Sequence, residues 1–420
     1  MTDGLLTRDI PGTGGLFKTQ AEDFQVEEIP AYLPCGAGEH LYLLVEKRHL
    51  TTIDLVHELA RSCGIREREI GYAGLKDARG VTRQWLSLPA QAAEGKLDGE
   101  QDRFRILTRS RHRNKLRLGH LRGNRFRIRI REVNAGALDR AEQILARLRE
   151  KGAPNTFGEQ RFGAFGNSHR IGRALVREDF DQAIREIIGD PRQIRDPRWQ
   201  EGATRFAAGD LQGALAVLPD NLRHERKIVH ALLHGRAPRQ AMLALPQRLL
   251  RLYLSAYQSL LFDRIVAERL PDLGLLQLGD LAMKHANGAV FSVTDPEREQ
   301  LRADAFEISP SAPLFGCQVL LASGTAGALE ERILREEVLR LEAFALPGPL
   351  RMEGSRRALR VPLGETSLCG EGGDLWLSFS LPAGSYATCV LREVMKKGLE
   401  GEPSDSEGHS PERMNIDSDF

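Results

Sequence analysis

The stretch GLKDARGVTRQW, residues 74–85, places one carboxylate, Asp77, beside Lys76 and between two glycines. A short strand is predicted just before it, from Glu69 to Ala73, and the glycines permit backbone turns around the aspartate. Two interpretations of Asp77 are open on these residues alone. Aspartate is common in turns because its side chain bonds to nearby backbone groups, but a polar side chain at a strand end is also well placed for function.

The composition is that of an ordinary globular protein. With 420 residues, of which 41% are hydrophobic and 28% charged, the chain is expected to fold as two or three units. Five widely spaced cysteines fit reduced thiols better than a disulfide framework. We find no signal peptide and no apolar run of membrane-spanning length, so a soluble cytoplasmic protein is expected.

Several helices and strands follow from local patterns. Thr51 and Asp54 form a capping-box pattern for a helix that ends at Gly64. A second helix is predicted from residue 137 to 151, and a strand with alternating leucine and phenylalanine near residues 375–381. After that strand, Ser385 is predicted to cap a helix ending at Gly398.

A basic run extends from Arg103 to Arg131 and contains eleven arginines, one lysine and no acidic residue. Its second half, RFRIRIREV, has the period-2 pattern of a strand with one buried face, and the arginines share the other face. Either acids elsewhere in the chain neutralise these arginines, or the run binds phosphates. The net charge of +1 for the whole chain favours neither alternative.

Most catalytic motifs are missing. GTGGLFKT, residues 12–19, has Phe17 where a phosphate-binding loop requires glycine. The histidines lack the spacing of metal ligands, no CxxC pair is present, and no GxSxG surrounds a serine. The residues by themselves therefore indicate a basic, multidomain cytosolic protein, with carboxylate chemistry or none, and RNA as a possible partner.

Five blocks of sequence, in order along the chain, resemble the TruD family of transfer-RNA pseudouridine synthases. GLKDARGVTRQW is similar to the family's G-x-K-D-x-x-x-x-T-x-Q-W signature. The other blocks are DFQVEEIP (23–30), SRHRNKLRLGHLRGNRF (110–126), NTFGEQRFG (155–163) and LPAGSYAT (381–388). Five ordered matches make coincidence a poor explanation.

The resemblance implies an α+β protein with a pseudouridine synthase fold. Its mixed, largely antiparallel sheet is interrupted by a helix-rich α+β insertion, the TRUD domain. The helical texture of the middle of the chain suggests a catalytic domain of residues 1–169 and 356–398, with the insertion at 170–355. Residues 399–420 are polar, without apolar periodicity, and are predicted to be a disordered tail.

The implied activity is isomerisation of uridine to pseudouridine at position 13, in the D arm of transfer RNA. Asp77 is then the catalytic nucleophile or base, acting on a base flipped out of the RNA stack. Lys18 matches a family lysine and is expected to keep this aspartate ionised, although Lys76 is its sequence neighbour. The reaction implies no cofactor and no metal.

Other site residues are carried over by position in the matching blocks. The expected substrate-binding residues are Asn155, Phe157, Tyr386, Phe24, Glu28 and Gln160. The expected RNA-binding residues are Arg111, Arg113, Lys115 and Arg117. Tyr386 departs from the family, since some members carry phenylalanine there, and core packing is the alternative role for each aromatic residue.

The expected partner is transfer RNA, and the chain is expected to be a monomer without a membrane or an obligatory protein partner. Two other functions stay open on the sequence. One is a non-catalytic RNA-binding protein or RNA chaperone that retains the synthase fold. The other is a helical scaffold built on the middle segment.

Overall fold

A computed structural model describes most of the chain. The described residues are 4–76, 78–93, 95–97, 100–101, 103–163 and 165–396. Asp77, predicted as the catalytic residue, and the predicted disordered tail, 399–420, lie outside the described residues.

The strands and helices are numbered in chain order. The strands are β1 Leu16–Phe17, β2 Phe24–Pro30, β3 His40–Arg48, β4 Gly71–Tyr72, β5 Val81–Pro89, β6 Glu100–Gln101, β7 Phe104–His112, β8 Leu121–Arg131, β9 Ala153–Pro154, β10 Leu281–Lys284, β11 Val290–Ser292, β12 Ile308–Leu314, β13 Ser355–Ala358, β14 Arg360–Val361, β15 Gly364–Glu371 and β16 Asp374–Pro382. The helices are α1 Thr52–Cys63, α2 Ala90–Ala93, α3 Ala137–Lys151, α4 Ser168–Val176, α5 Phe180–Ile188, α6 Pro197–Ala207, α7 Leu211–Val217, α8 Arg223–Leu233, α9 Pro238–Leu243, α10 Gln247–Arg269, α11 Pro296–Asp304, α12 Gly324–Glu336 and α13 Ala387–Met395.

The chain forms two compact units. Unit 1 contains the described residues up to Ala153 and those from Val361 onward, and unit 2 contains Pro154–Arg360. The second unit therefore interrupts the first in sequence. The predicted domain limits near residues 170 and 355 stay a prediction about where the functional insertion begins and ends.

Unit 1 is built on one mixed sheet with the strand order β15-β16-β8-β2-β5-β3-β7-β6. In this sheet β2 runs parallel to β5, and the other described neighbours are antiparallel. Two apolar clusters cover it: one joins β8 and β16 to α3 and α13, and the other joins β3 and β5 to α1. The predicted α+β class with a mixed, largely antiparallel sheet is confirmed.

Local patterns predicted several elements of unit 1 correctly. The Thr51 side chain accepts the Asp54 N–H at the start of α1, and Gly64 ends that helix with φ 69°. Helix α3 has the predicted bounds, and in β16 the apolar positions from Leu375 to Leu381 alternate into the core. Strand β8 buries its apolar residues and turns its arginines to the other face.

Two local predictions were wrong. Strand β4 has only two residues, because a 3₁₀ turn at Glu67–Glu69 uses the residues predicted to begin it. Tyr386, and not Ser385, is the N-cap residue of α13, and its side chain makes no capping hydrogen bond. The helix also ends earlier than predicted, at Lys396, which adopts a left-handed conformation with φ 53°.

Unit 2 combines helices α4 to α12 with a four-stranded sheet of order β11-β10-β12-β13. The longest helix, α10, is buried along most of its length and packs on α4. Gly172 on α4 permits this contact, because a Cβ there would lie 2.0 Å from the Tyr253 carbonyl oxygen. Within the described residues, no helix is long and apolar enough to cross a membrane.

Candidate active site

The loop that carries the signature motif is anchored by buried polar side chains of unit 1. Lys76, the residue before Asp77, donates its N–H to Thr52 Oγ1 at 2.8 Å. Its carbonyl oxygen accepts a hydrogen bond from Lys47 Nζ at 3.2 Å. Thr52 in turn donates to Gln84 Oε1 at 2.9 Å. The peptide groups leading into position 77 are therefore held from two sides.

The far end of the loop is held by a close backbone contact. Gly80 has φ 150°, and a Cβ at this position would lie 2.5 Å from the Phe24 carbonyl oxygen. Only glycine fits there without displacing β2. Gly74 differs: its φ is not in the left-handed region, and a Cβ there would meet Lys76 Nζ at 3.4 Å.

The structure brings Lys18 together with Phe24. Lys18 Nζ lies 4.1 Å from the centroid of the Phe24 ring, within the range of a cation–π contact. Lys18 also adopts a left-handed backbone conformation, φ 57°, which costs free energy in a residue other than glycine. Lys18, Phe24 and the Gly80 end of the loop thus form one contiguous group.

Glu28 and Lys76 form a buried pair below the loop. Glu28 Oε1 lies 3.9 Å from Lys76 Nζ, and their side chains are only 1% and 7% exposed. Glu28 Oε2 accepts the Trp85 N–H at 2.9 Å, just past the end of the parallel pairing of β2 with β5. Burial raises the pKa of Glu28 despite Lys76 and this N–H, and its Oε1 accepts no hydrogen bond in the described part of the chain.

Sequence reasoning missed Lys47, Thr52 and Gln84. Lys47 is 1% exposed although it stands between Glu46 and Arg48, and a charged triplet at a strand end normally indicates a solvated face. One signal was available: LYLLV precedes it in β3, and an unbroken apolar run predicts a strand buried on both faces. A lysine near the end of such a strand has to face other protein groups.

Tyr386 belongs to the turn that follows β16. Its side chain is half-buried, and its carbonyl accepts the Cys389 N–H in the first turn of α13. The turn lies against the start of β8, where the Ala383 N–H donates to the Arg122 carbonyl oxygen. Binding of a base by the Tyr386 hydroxyl stays a prediction.

Asn155 lies in unit 2, where its side chain is committed to internal hydrogen bonds. Its Nδ2 donates to the Ala358 carbonyl oxygen at 2.9 Å, and its Oδ1 accepts from Arg357 Nη2 at 2.6 Å. The backbone N–H of Asn155 also donates to the Leu359 carbonyl oxygen. These bonds fix the start of the NTFGEQRFG block against the chain around β13.

Phe157, in the same block, is buried. Its ring meets Phe262 edge-on at 5.8 Å, and the Arg357 guanidinium lies 4.4 Å from the ring centroid. Its N–H donates to Asp263 Oδ1 at 3.0 Å. Arg357 therefore connects Asn155 with Phe157. Gln160 lies in the following 3₁₀ turn, but its side chain is outside the described part of the structure.

Acidic residues neutralise both ends of the basic run. Near its start, Arg103 pairs with Glu58 and Arg105 pairs with Glu46. On β8 the ion pairs are Arg125 with Glu365, Arg129 with Asp374 and Arg131 with Asp23, each at 2.7 Å. Arg127, between them, stacks over Trp376 at 4.5 Å. At both ends of the run, acids elsewhere in the chain therefore neutralise the arginines, and phosphate binding is not needed to explain their charge.

The middle of the run differs from its ends. Arg113, Arg117 and Arg122 are exposed and form no ion pair within the described residues. The loop between β7 and β8, residues 113–120, is bound to the chain just before the signature loop. Its Gly119 N–H donates to the Ala73 carbonyl oxygen at 2.9 Å, three residues before Lys76.

Two of the predicted RNA-binding residues have backbone roles at this loop. Lys115 donates its ammonium to the Arg68 carbonyl oxygen, and burial lowers the pKa of Lys115. Arg111 is exposed on β7, and its carbonyl oxygen accepts the Gly36 N–H. The loop between β7 and β8 therefore contacts the chain on both sides of β4, the strand that leads into the signature loop.

In the described residues, no group of three or more histidine, cysteine, aspartate or glutamate side chains has the arrangement of a metal site. The buried ionisable groups that contact the backbone or side chain of Lys76 include the Glu28 carboxylate and the Lys47 ammonium group. Such a set can orient a peptide loop and tune its charge.

Comparisons with known proteins agree with this geometry. The family model described as tRNA pseudouridine synthase D (TruD) matches residues 3–394. A tRNA pseudouridine synthase D of Syntrophotalea carbinolica is 53% identical over 93% of this chain and 98% of its own length. The Geobacter metallireducens tRNA pseudouridine synthase D is 52% identical over 94% of this chain and 98% of its own.

A solved structure supports the same conclusion. A TruD protein of Methanosarcina mazei superimposes with a TM-score of 0.80 at 28% identity, covering 94% of this chain and 97% of that one. The mixed sheet and the signature loop are therefore those of an isomerase that makes pseudouridine in transfer RNA. The chain belongs to the TruD family of tRNA pseudouridine synthases.

Proposed function

We propose that this chain isomerises uridine 13, in the D arm of transfer RNA, and that Asp77 is its catalytic carboxylate. The observation that carries the assignment is the anchoring of the loop on both sides of position 77. Buried Thr52 and Lys47 bind the backbone N–H and C=O of Lys76, and Gly80 lies close against the Phe24 carbonyl of β2. A turn needs no such support merely to reverse the chain, whereas a reacting group has to be held in place.

The chemistry requires an ionised carboxylate near the sugar. The bond between C1′ and N1 breaks, a bond between C1′ and C5 forms, C5 loses its proton and N1 gains one. Positive charge develops at C1′ as the first bond breaks, so a carboxylate can attack that carbon or act on a neighbouring proton. The target base has to leave the RNA stack first, at a cost of a few kcal/mol that contacts in the pocket offset.

Lys18 is proposed as the cation that keeps Asp77 ionised. This proposal is supported by its contact with the ring of Phe24, whose carbonyl oxygen borders Gly80 at the far end of the signature loop. Lys76 is less suited to this task because its ammonium lies 3.9 Å from the buried Glu28 carboxylate. The roles of Phe157, Asn155 and Tyr386 as substrate contacts are carried over from the family and stay predictions.

The exposed arginines in the middle of the basic run, Arg113 and Arg117 in the loop between β7 and β8 and Arg122 at the start of β8, are proposed to contact RNA phosphates. They lack ion pairs among the described residues, whereas the arginines at both ends of the run are neutralised. We further propose that the protein acts in the cytoplasm as a monomer, with the segment near 170–355 as its family-specific insertion.

An unmodified transfer-RNA transcript tests the assignment of position and residue together. The wild-type protein should form pseudouridine at position 13, mapped by chemical labelling and primer extension. Asp77→Asn should lower the single-turnover rate by about 10³-fold or more and leave RNA affinity within about threefold. Asp139→Asn, an exposed aspartate at the start of α3, serves as the matched control.

Binding of the same transcript at several salt concentrations adds a second readout. Removing Arg113 and Arg117 together should reduce the slope of log affinity against log salt by about one for each phosphate that the variant no longer binds. Removing Arg103 and Arg105 should leave the slope unchanged. Full activity of Asp77→Asn would refute the catalytic role, and modification at another uridine only would refute the position.

A further inference from the structure

Lys47 is a buried cation to which neither the sequence nor the proposed chemistry gives a role. It lies one residue from the end of β3, opposite Thr82 of β5, and is 1% exposed. Its Nζ donates to the carbonyl oxygens of Leu50 at 2.5 Å and Lys76 at 3.2 Å. Burying an ammonium group is costly, and an apolar side chain of similar size at this position would avoid that cost.

The acceptors of Lys47 point to a specific task. Leu50 precedes α1, which contributes Thr52, and Lys76 precedes Asp77 in the signature loop. One ammonium group thus joins the backbone just before α1 to the backbone of the signature loop. The Lys76 N–H is bound to Thr52 and the Lys76 C=O is bound to Lys47, so the peptide groups on both sides of the Lys76 Cα are held.

We propose that Lys47 is a positioning residue for the isomerisation. Its ammonium holds the Lys76 carbonyl and so sets the direction in which the loop presents the next side chain, Asp77. Lys47 itself does not contact the RNA, because its side chain is enclosed by β3, α1 and the loop. This role rests on the proposed function of Asp77.

The test uses the full-length protein and Lys47→Met, which keeps the length of the side chain but removes its charge and donors. The single-turnover rate on the transcript should fall by about 10- to 100-fold, the effect of a small misplacement of a reacting group. The dissociation constant for the transcript should change by less than about threefold. Resistance to urea, measured on the same samples, separates this loss of rate from a loss of stability.

Lys96→Met is the matched control. Lys96 also donates to a backbone carbonyl in unit 1, that of Cys63 at 2.9 Å, but at the opposite end of α1 from Thr52. This variant should keep the wild-type rate.

Thr52→Val is a second variant that keeps the proposal testable if Lys47→Met fails to fold. It removes the acceptor of the Lys76 N–H and should also lower the rate while leaving RNA affinity unchanged.

The outcomes separate the two proposals. A wild-type rate for Lys47→Met, or for Thr52→Val when Lys47→Met does not fold, would overturn the positioning role, provided that Asp77→Asn is inactive. A fully active Asp77→Asn would instead overturn the proposed function on which this role depends. Equal losses of rate, affinity and urea resistance in Lys47→Met would make Lys47 a general structural residue and refute the proposal.

Discussion

Buried ionisable side chains occur in both units, but their partners differ. In unit 1 the charges around the signature loop have long or backbone contacts: Glu28 accepts the Trp85 N–H and lies 3.9 Å from Lys76 Nζ, and Lys47 Nζ donates to two backbone carbonyl oxygens. In unit 2 the framework pairs are Arg356 with Glu330 at 2.8 Å and Arg269 with Asp280 at 2.9 Å. The framework pairs have short, direct contacts.

The difference separates two uses of a buried charge. The framework carboxylates accept further hydrogen bonds: Glu330 accepts the Ala322 N–H, and Asp280 accepts the Gln277 N–H. The buried Arg269 Nε donates to no partner among the described residues. The framework pairs tie strands β10 to β13 to α10 and α12. The loop charges converge on the few residues around position 77, and one Glu28 oxygen accepts no hydrogen bond from the described residues.

The largest effect on stability should come from breaking a framework pair. Arg356→Met leaves the Glu330 carboxylate buried without its cation, which should destabilise unit 2 by about 3–5 kcal/mol. Hydrogen exchange of the backbone amides in β12, β13 and α12 measures this locally. Arg335→Met, an exposed residue of α12, should change the exchange little. A loss below about 1 kcal/mol for Arg356→Met would erase the distinction between the two regions.

Glu225 tests whether an uncompensated buried charge is sufficient to mark a site. It is buried in the first turn of α8, forms no ion pair within the described residues, and burial raises its pKa to about 7. Its charge also helps burial to raise the pKa of Tyr253. It lies outside all five family blocks, so we expect an effect on stability alone.

Linkage gives the sign for Glu225. Between the ordinary pKa of 4.5 and the folded value of about 7, the folded state binds more protons than the unfolded state. Stability therefore falls as pH rises through this window and is constant above it. Glu225→Gln should be more stable than wild type by about 3 kcal/mol at pH 8 and equal to it below pH 4.5.

Urea unfolding at the two pH values measures the effect of Glu225→Gln. The exposed Glu331→Gln serves as control. A Glu225→Gln variant that is less stable than wild type at pH 8 would show that the carboxylate has a stabilising partner.

The sequence predicted those parts of the fold whose cause is local. The capping box of α1, the bounds of α3 and the alternation in β8 and β16 all depend on residues a few positions apart. The start of α13 was placed incorrectly because Ser385, a good capping residue, lies in the preceding turn, and its N–H donates to the Pro382 carbonyl oxygen.

The candidate site was predictable only in part for the same reason. Family motifs gave Asp77, Lys18 and Glu28, but they gave no reason for Lys47 or Thr52. Those two act through contacts with a loop more than 20 residues away in sequence. The basic run illustrates the same limit, since the acids that neutralise its ends come from β2, β3, α1 and the β15–β16 hairpin.

The smallest effect on stability, and the sharpest test of the comparison, is expected for Glu28→Gln. Glutamine can still accept the Trp85 N–H, and the cost of ionising a buried carboxyl, which raises the pKa of Glu28, disappears. Against this gain, Lys76 loses the attraction of the Glu28 carboxylate. The two terms should nearly cancel, so that unfolding free energy changes by about 1 kcal/mol or less, whereas the single-turnover rate falls about tenfold or more.

Linkage adds a pH signature to Glu28→Gln. Because the folded pKa of Glu28 is raised, the wild type loses stability as pH rises above the ordinary value of 4.5, and the variant should lack this contribution. Urea unfolding of unit 1 at two pH values, with single-turnover assays on the same samples, measures both quantities. If Glu28→Gln costs as much stability as Arg356→Met and keeps its rate, Glu28 is a framework charge. The buried pairs of the two units would then differ only in their N–O distances. Lys47 alone would connect a buried charge to the loop of Asp77.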